Sequence, residues 1–317
     1  MQRLYMGFII KGVLKAPTDP SLVYISDKWI SFQRLENLVV SGGGTLDGQG
    51  TVAWSLNDCS KNPNCRTLPT TMRFDFVKNV QIHHLRSIDS KSNHFMIFGC
   101  ENMNITELRI LAPGDSPNTD GIKIGRSFNV DISRIIIGTG DDCIALISGT
   151  KNVHISQVDC GPGHGISVGS LGKYQEEEDV EDIVVKNCSF HGTSDGVRIK
   201  TWASRFDVKA SNLVYEDIVM NNVGNPIIID QQYCPHPPCN QETASNVQIS
   251  GVTYKNIRGS SRSDVAVSIR CSQSRPCKNI TMEGINLKHQ IVGGLVRSQC
   301  SHVNGVSYGK QNPPSCI

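Results

Sequence analysis

The sequence predicts an all-β fold, a parallel β-helix in which short coils stack as a solenoid. Three observations carry this. The four segments Asp120-Gly121-Ile122-Lys123-Ile124, Asp142-Cys143-Ile144-Ala145-Leu146, His164-Gly165-Ile166-Ser167-Val168 and Asp195-Gly196-Val197-Arg198-Ile199 can be laid over one another, each reading polar, small, apolar, variable, apolar. The first three begin 22 residues apart and the fourth 31 after the third. A second repeat, asparagine then apolar, any residue, apolar, recurs at Asn37, Asn79, Asn102, Asn129, Asn152, Asn246 and Asn279, with intervals of 23, 27 and 23 from Asn79 to Asn152. Coils this short cannot bury a core alone and must stack on their copies. Finally, 29 glycines and 6% aromatics fit many short strands joined by tight turns. Helix signals are scarce, and the L-x-x-L-x-L framework of leucine-rich repeats is absent. All 317 residues fit one such domain.

In chain order, Val23-Tyr24-Ile25 and Leu38-Val39-Val40 read as the first strands, followed by the glycine-rich turn 41–50. That turn lacks the lysine of a phosphate loop, and no helix pattern opens after it. Residues 51–70 read as a loop carrying Trp54, Cys59 and Cys65. The recurring asparagines are expected to stack at turns and hydrogen-bond to one another. Residues 173–182, from Lys173 to Asp182, interrupt the rhythm with an acidic excursion, read either as a solvated loop or as a wall of the cleft beside it. Further coils follow around 225–229 and 265–269. The tail from Cys300 to Cys316, with Pro313-Pro314, reads as a stapled cap on the last coil.

A formal net charge of +2 with 19% charged residues carries no polybasic signature, so nucleic-acid binding is not expected. No run reaches the roughly 18 apolar residues of a membrane span. Twelve cysteines are many for a reducing compartment. Close spacing pairs Cys59 with Cys65, Cys234 with Cys239, Cys271 with Cys277 and Cys300 with Cys316 as local disulfides; zinc is the rival reading but lacks C-x2-C spacing and clustered histidines. Sequons at Asn104, Asn187 and Asn279 agree with secretion. The apolar patch Met6 to Ile10 is too short for a signal core, so the chain reads as a secreted protein without its leader.

Stacking puts Asp120, Asp142 and His164 in one column. Successive coils lie about 4.8 Å apart, so two carboxylates become neighbours and one of them should be harder to ionise. Asp141 joins them only if Gly140-Asp141-Asp142 forms a corner, because adjacent strand residues face opposite ways. On the fourth segment Arg198 and Lys200 face out while Val197 and Ile199 point in. An aspartate opening a turn can be structural, but three acids converging on a histidine destabilise unless something uses them. Paired carboxylates without a nucleophilic serine or cysteine point to glycoside hydrolysis, and the nearby cations to a carboxylate-bearing sugar, a polyuronide.

Asn118-Thr119-Asp120, Gly140-Asp141-Asp142-Cys143, Gly163-His164-Gly165-Ile166-Ser167 and Arg198-Ile199-Lys200 together resemble the four signature motifs of the polygalacturonases, in order and near their spacing. The stretches from Cys160 to Tyr174 and from Asp230 to Pro235 most resemble the plant pollen-type, exo-acting members. The resemblance implies a right-handed parallel β-helix and hydrolysis of α-1,4-galacturonan with inversion. It implies Asp141 as general acid, Asp120 and Asp142 as activators of water, and His164 as support for the acid's protonation. Asn118, Arg198, Lys200 and Tyr233 would bind substrate. It also implies a Cys143 to Cys160 disulfide, leaving Cys100 and Cys188 as buried thiols. Inversion asks for roughly 6.5 to 9.5 Å between acid and base, which the corner at Asp141 is expected to provide. The resemblance further implies a secreted plant cell-wall protein, a monomer, with polygalacturonate as its partner and no cofactor or metal. The competing readings are an endo-acting polygalacturonase, a pectate lyase, and a truncated pectin-binding wall or pollen component without activity.

Overall fold

The structure, a computed structural model, describes residues 5–19, 22, 27–58, 62, 65–235, 237–239 and 243–317. Among the described residues the strands run parallel in two sheets, one of fifteen strands and one of ten. The chain passes from one sheet to the other within each coil, so every coil adds a strand to both edges of a growing stack. In the smaller sheet Phe95–Phe98, Ile122–Gly125, Ile144–Leu146, Ile166–Leu171, Asp195–Thr201, Asn225–Asp230 and Val265–Arg270 follow one another without a crossover. Ile122 pairs with Ile144, Ile144 with Ile166, Ile166 with Val197 and Val197 with Ile227. This is the register given by superposing the four segments in sequence.

Period-two alternation fills the solenoid. Ile122, Ile144, Ile166, Val197 and Ile227 form an inward column, none more than 1% exposed, within an apolar cluster running from Ile10 to Leu287. Burying each such side chain contributes about 1.5–3 kcal/mol, and the contribution repeats with every coil. Tyr215 and Tyr254 extend the pattern as stacked rings 5.2 Å apart.

The asparagine ladder forms in the larger sheet. Asn79 Nδ2 donates to Asn37 Oδ1 at 3.2 Å, Asn102 to Asn79 at 3.1 Å, Asn129 to Asn102 at 2.6 Å and Asn152 to Asn129 at 3.2 Å. These five residues have φ between 51° and 60°, a region that asparagine tolerates better than most residues. Strand register extends the column through Asp182, Asn212 and Gly251 to Asn279. Asn246 is a correction: its side chain donates to the Arg205 carbonyl at 2.9 Å and lies outside the ladder. A second left-handed column bends the long strands midway, at His84, Glu107, Arg134, Gln157, Asn187, Asp217 and Asn256. No shared side chain marks it.

Residues 51–70 are not all loop. Gly50–Leu56 is a short α-helix, entered through Gln49 at φ 53°, with Ala53 buried and Trp54 Nε1 donating to the Ser90 carbonyl at 3.1 Å. Seven residues hold too few periodic positions to register as a helix in sequence. Val23-Tyr24-Ile25 and Cys59 lie outside the described residues. Disulfides join Cys143 to Cys160, Cys234 to Cys239, Cys271 to Cys277 and Cys300 to Cys316. Cys100 and Cys188 are buried free thiols, and burial pushes both up to about 11. The tail docks where Leu287 N–H donates to the Asn312 carbonyl at 2.7 Å and Asn312 N–H to the Ile285 carbonyl at 2.9 Å.

Candidate active site

Asp120, Asp142 and His164 each sit two residues before the matched isoleucine of consecutive strands, so register alone brings them together. Residues 140–142 form the expected bend ahead of Ile144–Leu146. Thr119, fully buried, ties two of these turns by accepting from Gly140 N–H at 3.0 Å. A side chain at Gly140 would lie 2.0 Å from the Ser116 carbonyl oxygen, so the corner closes only around glycine. Asp142 N–H then donates to Asp141 Oδ1 at 2.7 Å, fixing the two carboxylates relative to each other.

Asp142 is the hub. Its Oδ1 accepts from Ser167 Oγ and from Arg198 Nη2, and its Oδ2 from Lys200 Nζ, all at 2.7 Å. Asp195 holds the other arm of Arg198 at 3.0 Å and is itself held by Asn225 Nδ2 at 2.9 Å. Arg198 and Lys200 face outward as expected, yet they do not stand free as anchors. Lys200 is buried, and both cations pair with protein carboxylates.

Asp141 and Asp120 experience opposite fields. Burial alone would push Asp141 up, but the His164 Nδ1 that donates to it at 3.2 Å, the charges of His164 and Lys200, and the Asp142 N–H outweigh that. Asp141 is held well below the usual carboxylate range. The same hydrogen bond raises His164. Asp120 is pushed up to about 6, first by burial and then by Asp141 and Asp142, against the opposing charges of Lys123 and Lys200. Of the neighbouring carboxylates, Asp120 is the one made harder to ionise.

Lys123, its Nζ 3.3 Å from Asp120 Oδ2, was not singled out in sequence. It occupies the variable slot of the repeat, where alternation turns a side chain toward the acids. Tyr233 is brought in: its ring centre lies 5.3 Å from Lys200 Nζ and 5.5 Å from the Trp202 ring. Asn118 is exposed beside Asp120 at φ 56°. The sequons at Asn104, Asn187 and Asn279 fall on exposed positions.

Oxygens of Asp141 and Asp142 and a nitrogen of His164 lie within 4.8 Å of one another, a spacing that would suit a cation. Arg198 and Lys200 already supply positive charge to Asp142, and the imidazole pairs with Asp141.

A parallel β-helix whose outer face gathers three aspartates, a histidine, a buried lysine and a part-buried arginine has the composition of a carbohydrate-cleaving site. The chain belongs to the glycosyl hydrolases family 28, whose sequence profile matches residues 3–316. It is 48% identical to an exopolygalacturonase of Platanus acerifolia, over 97% of this chain and 81% of that protein. It is 44% identical to a polygalacturonase of Brassica napus, over 98% and 78% respectively. Among solved structures it resembles the endo-xylogalacturonan hydrolase of Aspergillus tubingensis, with a TM-score of 0.85 at 24% identity, covering 96% of this chain and 85% of that one. At that identity the likeness speaks for the fold.

Proposed function

We propose that the protein is an exopolygalacturonase, releasing galacturonate from chain ends of polygalacturonate by hydrolysis of α-1,4 bonds. The observation that carries this is the single constellation of Asp120, Asp141, Asp142, His164, Arg198 and Lys200, in a family 28 chain related to proteins named exopolygalacturonase.

In this reading Asp141 protonates the glycosidic oxygen as the bond from C1 to that oxygen breaks. A water held by Asp120 and Asp142 adds to C1 and gives its proton to Asp120. In the free site the proton rests on His164 rather than on Asp141. Bound sugar excludes water, which favours the neutral pair over the ion pair, so the His164 proton can pass to Asp141 along their hydrogen bond. Asp120 must be ionised to accept a proton, so kcat/KM should fall as pH drops through about 6. A rate that instead falls as pH rises through that value would make Asp120 the acid. Inversion is tested by the anomer of the first product in proton NMR.

Sizing the products of polygalacturonate over time tests the mode. Monomer from the earliest points, with slow shortening of the polymer, supports exo action; a rapid ladder of oligomers moves the protein to the endo class. Asp141→Asn should abolish turnover while sparing oligogalacturonide binding. The disulfides joining Cys143 to Cys160, Cys234 to Cys239, Cys271 to Cys277 and Cys300 to Cys316 support an oxidising, extracellular setting, consistent with a substrate outside the cell.

A further inference from the structure

The excursion that interrupts the coil repeat is folded and tethered. The Glu177 carboxylate accepts the N–H groups of Gly172, Lys173 and Tyr174 at 2.7, 2.8 and 3.0 Å. Glu178 N–H donates to Ser148 Oγ at 2.7 Å, its carboxylate pairs with Arg126 at 3.2 Å, and Ser204 Oγ donates to the Gly172 carbonyl. With its backbone fixed this way, Lys173 holds its ammonium 5.0 Å from the centre of the Trp202 ring and 5.3 Å from that of Tyr174. Both are within cation–π reach. Trp202 meets Tyr233 edge-on, and Tyr233 lies against Lys200. The row Lys173, Trp202, Tyr233, Lys200 thus leads from the loop to the carboxylate cluster.

Charge separates Lys173 from the cations at and beside the carboxylate cluster. Lys123 is paired with Asp120, Lys200 with Asp142, Arg198 with Asp142 and Asp195, and Arg270 with Asp230. Among the described residues no carboxylate lies within ion-pair distance of Lys173. An incoming carboxylate competes with a protein acid at each paired cation, but only with water at Lys173. The two rings hold the ammonium in place without neutralising it. The Trp202 indole N–H has no hydrogen-bond partner among the described residues, so the ring acts through its face.

We propose that Lys173 is a further substrate-binding residue, anchoring a carboxylate of the polyuronide at the border of the cleft, with Trp202 and Tyr174 setting its position. The proposal rests on the hydrolase reading above. Two measurements test it, on an exposed position whose substitution does not disturb the core. In kinetics on de-esterified polygalacturonate, Lys173→Met should raise KM about tenfold and leave kcat within about twofold, with Lys173→Arg recovering most of the loss. In an Asp141→Asn background, tryptophan fluorescence should report about tenfold weaker binding of trigalacturonate to the Lys173→Met protein. That gap should close on the methyl ester, where the sugar carries no charge to lose. A merely structural role would weaken acid and ester alike. Unchanged kinetics, or an equal penalty on acid and ester, overturns the proposal while leaving the hydrolase reading intact. Folded wild-type protein that leaves polygalacturonate whole overturns both.

Discussion

Asp120 is held in the folded chain at a cost that pH can remove. Its carboxyl is raised to about 6 from an ordinary 3.8, chiefly by burial. The folded state therefore binds this proton more tightly than the unfolded state does, and ionising the group destabilises the fold. The penalty is absent below about 3.8, grows between that value and about 6, and is fully present above. At roughly 1.4 kcal/mol per pH unit, the gap amounts to about 3 kcal/mol. Asp120→Asn carries no charge at any pH and keeps the shape. Its partner Lys123 is about one-third exposed and is left solvated rather than stranded. The variant should be more stable than wild type by about 3 kcal/mol at pH 8, near 4 °C in Tm for a chain of this length, with the difference vanishing at pH 4. Urea unfolding at pH 8, 6 and 4 measures it. No gain at pH 8, or a gain that persists at pH 4, refutes the reasoning. Loss of activity alongside the gain in stability would identify Asp120 as a group kept for chemistry at the expense of the fold.

Asp142→Asn should do the opposite, costing about 3 kcal/mol at neutral pH by leaving Lys200 without its counter-charge and Arg198 with Asp195 alone; thermal unfolding reads this directly. Removing the Cys143 to Cys160 disulfide, which spans 17 residues, should cost about 3 kcal/mol in urea and also reduce kcat, because Cys143 adjoins Asp142. Asn102→Ala loses two ladder hydrogen bonds and strains a residue at φ 57°, so it should be less stable than Asn102→Gly by about 1 kcal/mol.

The sequence by itself determined the stack and its register. Apolar side chains alternate on a fixed coil length, and slipping by one residue would turn Ile122, Ile144 and Ile166 out of the core. Because register was legible, so was the convergence of Asp120, Asp142 and His164, and the need for a corner at Asp141. The asparagine ladder was readable from Asn37 to Asn152 and at Asn279, but not at Asn212, where Tyr215 stands in the motif's last apolar slot. It was lost at Asp182 and Gly251, which satisfy the same left-handed backbone with different side chains, and it was misplaced at Asn246. The second left-handed column left no trace, since backbone geometry there is imposed by neighbouring coils on residues as unlike as Glu107 and Arg134.

Only the tertiary structure decided how the charges pair. Alternation gives the direction a side chain leaves the strand, but not which of several nearby partners it meets. Arg198 and Lys200 were expected beside the carboxylates, but that both meet Asp142 and that Arg198 also meets Asp195 was not readable. Lys123, in a slot where the repeat tolerates any residue, became the partner of Asp120. Lys173, with no carboxylate at ion-pair distance among the described residues, came from the loop, brought to Trp202 by hydrogen bonds to a glutamate that no periodicity would single out. Period and register are local consequences of the backbone, whereas ion pairing depends on the distances among all charges at once, and those exist only when the coils have stacked.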